Sequence, residues 1–189
     1  ATFTNSYFEG ATLTSSDLSG ATLNNCLFTE ANLSNVNLWK TTFVKTTLND
    51  TTLTRVKSWD ISGLETKDLP TDYKIRNTTT GVKYIIGPHV YLNSNNIESG
   101  KTSIKDVSLN DAWLENVKYT DEFEFLRVIL TGATIVNSDF SGCTFNASDL
   151  TSAHISSNTF TNTTFQNVDL SGATIYPNTF TKTSLRKPS

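Results

Sequence analysis

Methionine is absent from this chain, and cysteine, histidine and proline are scarce, with two, two and four residues among 189. Two cysteines, Cys26 and Cys143, cannot build the multi-bridge framework that staples small secreted folds, and they identify no redox compartment. The two histidines, His89 and His154, stand in no ligand-spaced cluster with Cys, Asp or Glu, so no metal and no cofactor is expected. Charged residues make up only 17% of the chain, against about a quarter in ordinary domains. A chain this poor in charge is not a disordered polyampholyte. Its formal net charge of −3 is too small to argue by itself for an acidic decoy or a nucleic-acid binder, and direct nucleic-acid binding is not expected. No apolar run approaches the ~18 residues of a membrane span. The chain starts at Ala1 and contains no Met, so either a segment has been removed or this is part of a longer protein. Localisation is not legible in it.

What the chain does have is Thr, Asn and Ser, and a period. Residues 131–150 read TGATIVNSDFSGCTFNASDL. Apolar residues fall on every fifth position from Phe3 through Phe8, Leu13, Leu18, Leu23, Phe28, Leu33, Leu38, Phe43 and Leu48 to Leu53. They do so again from Leu130 through Ile135, Phe140, Phe145, Leu150, Ile155, Phe160, Phe165, Leu170, Ile175 and Phe180 to Leu185. Two residues before each of these centres the side chain is mostly small, as at Ala11, Ser16, Ala21, Cys26 and Ala31, or Ala133, Ser138, Cys143, Ser148 and Ala153. A period of five fits neither the 3.6 of a helix nor the 2.0 of a strand.

A chain that turns a corner after each group of five puts both marked positions inside and the other three outside. Four such sides make a square coil of twenty residues, and residue type repeats on twenty: Leu130/Leu150/Leu170, Ile135/Ile155/Ile175, Phe140/Phe160/Phe180 and Phe145/Phe165/Leu185. Coils bonded like neighbouring strands rise about 4.8 Å, a separation at which phenylalanines stack with an offset. Small partners are expected wherever a large side chain would collide across the axis.

The pattern A-x-[LF]-x-x, seen in ATLTS at 11–15, ANLSN at 31–35 and GATI at 132–135, resembles the pentapeptide-repeat family over roughly the first 58 residues and the last 85. The resemblance implies an all-β chain wound as a right-handed quadrilateral β-helix. The Asp or Asn usual before the centre is often Thr here, as at Thr12, Thr22, Thr42, Thr134 and Thr174.

The register breaks in the middle, where Ser58 stands at the expected centre and Leu64 and Leu69 follow one residue late. YKIRN and VKYIIG, joined by TTTG, predict a hairpin. The expected organisation is one continuous domain: repeat coils over 1–58, a register break with a hairpin or loop insertion over 59–103, and coils over 104–189. Repeats resume loosely at Leu92 and Ile97, Cys143 and Cys26 are read as small core residues, and about seven or eight coils are expected in all.

No nucleophile elbow or P-loop spacing occurs, so the chain is not expected to be an enzyme. Flat, laddered faces suit binding instead. Trp39 and Trp59, one period apart, form a candidate partner-binding pair unless the hairpin folds over them, and Tyr7 and Leu27 form a second outward apolar pair. The expected role is a scaffold or protein-binding module in a larger assembly such as a viral particle, a fibre or a surface complex, with end-to-end homo-oligomers as one mode. The family resemblance supplies an alternative, since members imitate duplex DNA and modulate type II topoisomerases such as gyrase. Asp149 and Asp169 form a candidate acidic stack for that role, although Lys40, Lys45, Arg55 and Lys57 interrupt any continuous stripe.

Overall fold

The computed structural model of the chain describes residues 1–78, 80–93, 97–99 and 103–186. Among them the regular structure is β apart from one 3-10 turn, Thr66–Asp68. The chain divides into two compact units, Ala1–Val90 and Tyr91–Ser189.

In the first unit, Thr2–Thr4, Thr22–Asn24 and Thr42–Val44 pair in parallel, with Phe3 opposite Leu23 and Leu23 opposite Phe43. The other three sides pair through single bridges on the same step of twenty: Tyr7 with Leu27, Thr12 with Asn32 and Asn32 with Thr52, Asp17 with Asn37 and Asn37 with Lys57. Four sides per twenty residues is the square coil.

Its corners have one conformation. The second residue after every centre, from Asn5 through Asp60, is left-handed, with φ between 49° at Lys45 and 64° at Gly10. At some corners the centre's carbonyl accepts a bond from the amide three residues on, as Phe8 O from Ala11 N–H at 3.0 Å and Leu38 O from Thr41 N–H at 3.0 Å, and at others that amide donates to an inner side chain of the next coil, as Cys26 N–H to Thr46 Oγ1 at 3.0 Å. The left-handed residue's own amide points to the next coil, as Gly10 N–H to Thr29 O at 2.9 Å and Lys40 N–H to Trp59 O at 3.0 Å. Gly and Asn take this conformation readily, whereas Glu30, Lys40, Lys45 and Arg55 do so against a local preference of about 1 kcal/mol or more each.

The middle segment closes the third coil's edge. Leu48 N–H donates to Asp68 O at 2.7 Å, Arg55 N–H to His89 O at 2.6 Å and Ile61 N–H to Lys83 O at 3.1 Å, bonds that a further coil would otherwise take. The register does not break at Ser58, contrary to the expectation above. Ser58 stays in the interior as a centre, and its Oγ accepts the Ile85 N–H at 2.8 Å. Ser62 still bridges Thr42, and the departure comes at Gly63, with φ of +84° against the Phe43 carbonyl. A Cβ there would sit 1.7 Å from that oxygen, so only glycine fits. The predicted hairpin follows, Lys74–Asn77 antiparallel to Lys83–Ile86, with Tyr84, Ile85 and Ile86 buried.

In the second unit two columns run through five coils: Leu92/Leu114/Ile135/Ile155/Ile175 and Ile104/Phe125/Phe145/Phe165/Leu185. With the four tiers of the first unit, the last begun by Ser62, the described residues exceed the seven or eight coils expected. The slip near DEFEFL is absorbed by two consecutive left-handed residues, Asp121 and Glu122. Phe123 then takes an inner position where a small residue was expected. It is fully buried, 4.8 Å from the Tyr119 ring and 5.2 Å from Phe125. The strand Ile97–Ser99 sets Glu98, not Ile97, opposite Tyr119, while Gly100, Lys101 and Thr102 lie outside the described residues.

The phenylalanine columns stack nearly parallel: Phe125 on Phe145 at 4.5 Å, Phe145 on Phe165 at 5.0 Å, Phe140 on Phe160 at 5.5 Å and Phe160 on Phe180 at 5.1 Å. Such pairs contribute about 0.5–1.5 kcal/mol each beyond burial.

The small inner positions do more than leave room. Where polar, they bond the backbone of the neighbouring coil: Thr41 Oγ1 donates to Leu18 O at 2.8 Å, Thr163 Oγ1 to Phe140 O at 2.8 Å and Ser148 Oγ to Phe125 O at 3.0 Å. A buried ladder climbs one side of the second unit. Val117 N–H donates to Ser138 Oγ, Ser138 N–H to Asn158 Oδ1 and Asn158 N–H to Asn178 Oδ1, while Asn158 Nδ2 donates to Ile135 O at 2.8 Å. Asn158→Ala leaves a buried amide and carbonyl unpaired and is expected to cost about 3 kcal/mol. Thr159→Ala, next to it on the outer face, is expected to stay within about 0.5 kcal/mol. Urea unfolding of the two variants checks this.

Candidate binding surface

Outward side chains stand in columns because the coils are in register. Trp39 O accepts the Gly20 N–H at 2.7 Å and Trp59 O the Lys40 N–H at 3.0 Å, so both tryptophans sit at one corner of successive coils. Their environments differ. Trp59 is half-buried, its ring 5.3 Å from Tyr84 of the hairpin. Trp39 is 45% exposed, and Lys40 Nζ lies 4.9 Å above its ring, a cation–π contact. The hairpin therefore covers one tryptophan and leaves the other presented. On another side Tyr7 bridges Leu27, with 76% and 43% of their surfaces exposed.

Asp149 and Asp169 also stand in register, bridged to one another. Their carboxylates are occupied locally. Asp149 Oδ1 accepts the Thr151 N–H at 2.8 Å, and its Oδ2 accepts Thr131 Oγ1–H at 3.0 Å. Asp169 Oδ1 accepts both the N–H and the hydroxyl of Ser171. The Oδ1 atoms of Asp17, Asn32, Asn37 and Asp139 likewise accept the backbone N–H two residues on, from Ser19, Ser34, Trp39 and Ser141. These are Asx turns that hold the corner. Hydrogen bonds from Thr151 and from Ser171 hold the Asp149 and Asp169 carboxyls below the usual carboxylate range.

A further surface group lies on the second unit. Tyr91 O–H donates to Glu115 Oε2 at 2.9 Å, and the Tyr91 and Trp113 rings stand 6.5 Å apart. Partial burial, followed by the Glu115 contact, pushes the Tyr91 phenol up to about 12. The pairing of Tyr91 with Trp113 spans twenty-two residues, two more than the regular period, so columns read on twenty do not find it.

His154 faces outward between Thr134 and Thr174. Cys26 and Cys143 are free and buried, Cys143 Sγ lies against Tyr119 O at 2.8 Å, and burial pushes its thiol well above the ordinary range. Among the described residues no three His, Cys, Asp or Glu side chains gather to hold a metal, and no helix is long and apolar enough to cross a membrane.

Two family models match, one described as pentapeptide repeats (8 copies) over residues 1–29 and 31–57, the other as pentapeptide repeats (9 copies) over residues 140–184. The chain belongs to the pentapeptide-repeat family. Compared with curated protein sequences it has no match. Among solved structures it is similar to trypsin-treated QnrB1, a plasmid-mediated fluoroquinolone resistance protein, at 13% identity and a TM-score of 0.43, over 97% of this chain and 79% of that one. It is also similar to HetL, a pentapeptide repeat protein involved in heterocyst differentiation regulation from the cyanobacterium Nostoc sp. strain PCC 7120, at 18% identity and a TM-score of 0.26, over 94% and 84%.

Two expectations follow. Trp39→Ala should leave the melting temperature within about 2 °C, whereas Trp59→Ala, which removes a ring packed on Tyr84, should lower stability by about 2 kcal/mol in urea unfolding. The Asp149 and Asp169 carboxyls titrate lower folded than unfolded, so their contribution is complete above the ordinary carboxylate pKa of about 3.9 and is lost as pH falls through the lower folded values. Asp149→Asn/Asp169→Asn keeps the Asx turns and should lose less stability than wild type between pH 5 and pH 3, read from urea midpoints.

Proposed function

We propose that this pentapeptide-repeat protein is a non-enzymatic scaffold and protein-binding module, working as a component of a larger assembly such as a viral particle, a fibre or a surface complex. The observation that carries this reading is the presentation of Trp39. Its ring stands exposed under a lysine on a coil whose backbone is laddered on both sides. Rigid amphipathic aromatics of this kind anchor protein interfaces. Self-assembly is one mode of the same reading, since coils laddered through backbone bonds can pair with another strand.

A second reading, DNA mimicry toward a type II topoisomerase such as gyrase, draws on the Asp149–Asp169 column. That column supports it weakly, since Thr151, Thr131 and Ser171 already use the carboxylates.

The test combines light scattering with affinity capture on the immobilised chain. The proposal expects either a mass rising in multiples of 20.8 kDa with concentration, or a partner retained by wild type and at least fivefold depleted with Trp39→Ala. A monomer at every concentration, no such partner, and altered gyrase supercoiling at micromolar chain would transfer the conclusion to the second reading.

A further inference from the structure

Resting on the partner-binding reading, we propose that the Tyr7–Leu27 side of the first unit docks a basic protein segment carrying an apolar anchor. The two side chains are bridged on adjacent coils and exposed, over a floor in which the Phe8 and Phe28 rings stack at 4.7 Å. They form a rigid apolar surface that costs little to order on binding. The composition of this side selects the partner's charge. Its outward residues over three coils, at 7, 9 and 10, at 27, 29 and 30, and at 47, 49 and 50, include Glu9, Glu30 and Asp50 and no lysine, arginine or histidine, with Lys45 at the corner that precedes the third.

These carboxylates also differ from the other acids in what they do. Asp17, Asp139, Asp149 and Asp169 each accept a local amide. Glu9, Glu30 and Asp50 accept no side-chain or backbone hydrogen bond and form no ion pair among the described residues. Glu30 and Asp50 are left-handed corner residues one coil apart, with φ of 60° each, so two like charges leave the same corner of adjacent coils, an arrangement that is mutually unfavourable. A cationic partner relieves that repulsion while its apolar side chain covers Tyr7 and Leu27. The opposite choice, an acidic partner, would add to it.

The probe is a fluorescein-labelled octapeptide alternating Lys and Leu, compared by anisotropy on the full chain with Lys/Ser and Glu/Leu counterparts. The Lys/Leu peptide should bind at least tenfold tighter than either and weaken at least fivefold between low and high salt. Tyr7→Ala and, independently, Glu9→Gln/Glu30→Gln should each weaken it at least fivefold. Asp60→Asn/Asp72→Asn, the same charge change elsewhere on the first unit, should alter it less than twofold. Equal losses from the two charge variants, or binding indifferent to both Tyr7→Ala and the glutamate pair, would overturn the proposal, as would no binding at millimolar peptide. If binding is lost with Trp39→Ala instead, this surface is wrong while the partner-binding reading stands.

Discussion

The whole architecture depends on one backbone constraint, a left-handed residue two positions after the interior centres, with Pro177 after Ile175 an exception. It folds the chain back by a quarter turn, leaves the amide after it to close the corner on the centre's carbonyl or on an inner side chain of the next coil, and aims the corner amide at the carbonyl one coil away. Each coil is then hydrogen-bonded along its length to the next, and a column of side chains follows without further instruction. Lys45, Arg55 and Ala147 show that the constraint is imposed by the stack and not by local preference, because none of them favours φ near 50° alone. The bonds of Ala147 N–H to Gln166 O of the next coil and of Arg55 N–H to His89 O of the middle segment hold two of them there.

That dependence explains which parts could be read from the sequence. The centres and their inner partners announce themselves because burial repeats on five and residue type on twenty; Phe140, Phe160 and Phe180 had to be neighbours once the coil closed. Ser58 was illegible, because a polar residue at a centre looks like an ended repeat until the Ile85 amide is found bonded to it. Phe123 failed the rule of small partners because the extra corner residue beside it opens the space that Tyr119 and Phe125 share. The inner Ser, Thr and Asn residues were chosen for size in the sequence reading. Their donors and acceptors, as in Ser138–Asn158–Asn178, matter as much.

The outer faces were legible as positions and not as environments. Period alone set Trp39 above Trp59, but only the hairpin's path distinguishes a presented ring from one packed on Tyr84. Likewise it aligned Asp149 with Asp169, while the use of both carboxylates as turn caps depends on the Thr or Ser two residues on. The Tyr91–Trp113 pair was hidden by the two surplus residues in its coil.

The same reasoning separates structural from available charge. A solenoid corner consumes a carboxylate whenever Asp precedes the centre, because that position lies within reach of the amide two residues on. A carboxylate at or just before the left-handed residue has no such amide to accept from, and Glu9, Glu30 and Asp50 are of this kind. Net charge therefore measures the binding potential of this surface poorly, since a formal −3 hides one side where anions are spent on turns and another where they face water beside an exposed tyrosine. Position within the five-residue repeat decides which acids remain for a partner, and Glu9, Glu30 and Asp50 on the side of Tyr7 and Leu27 are three of them.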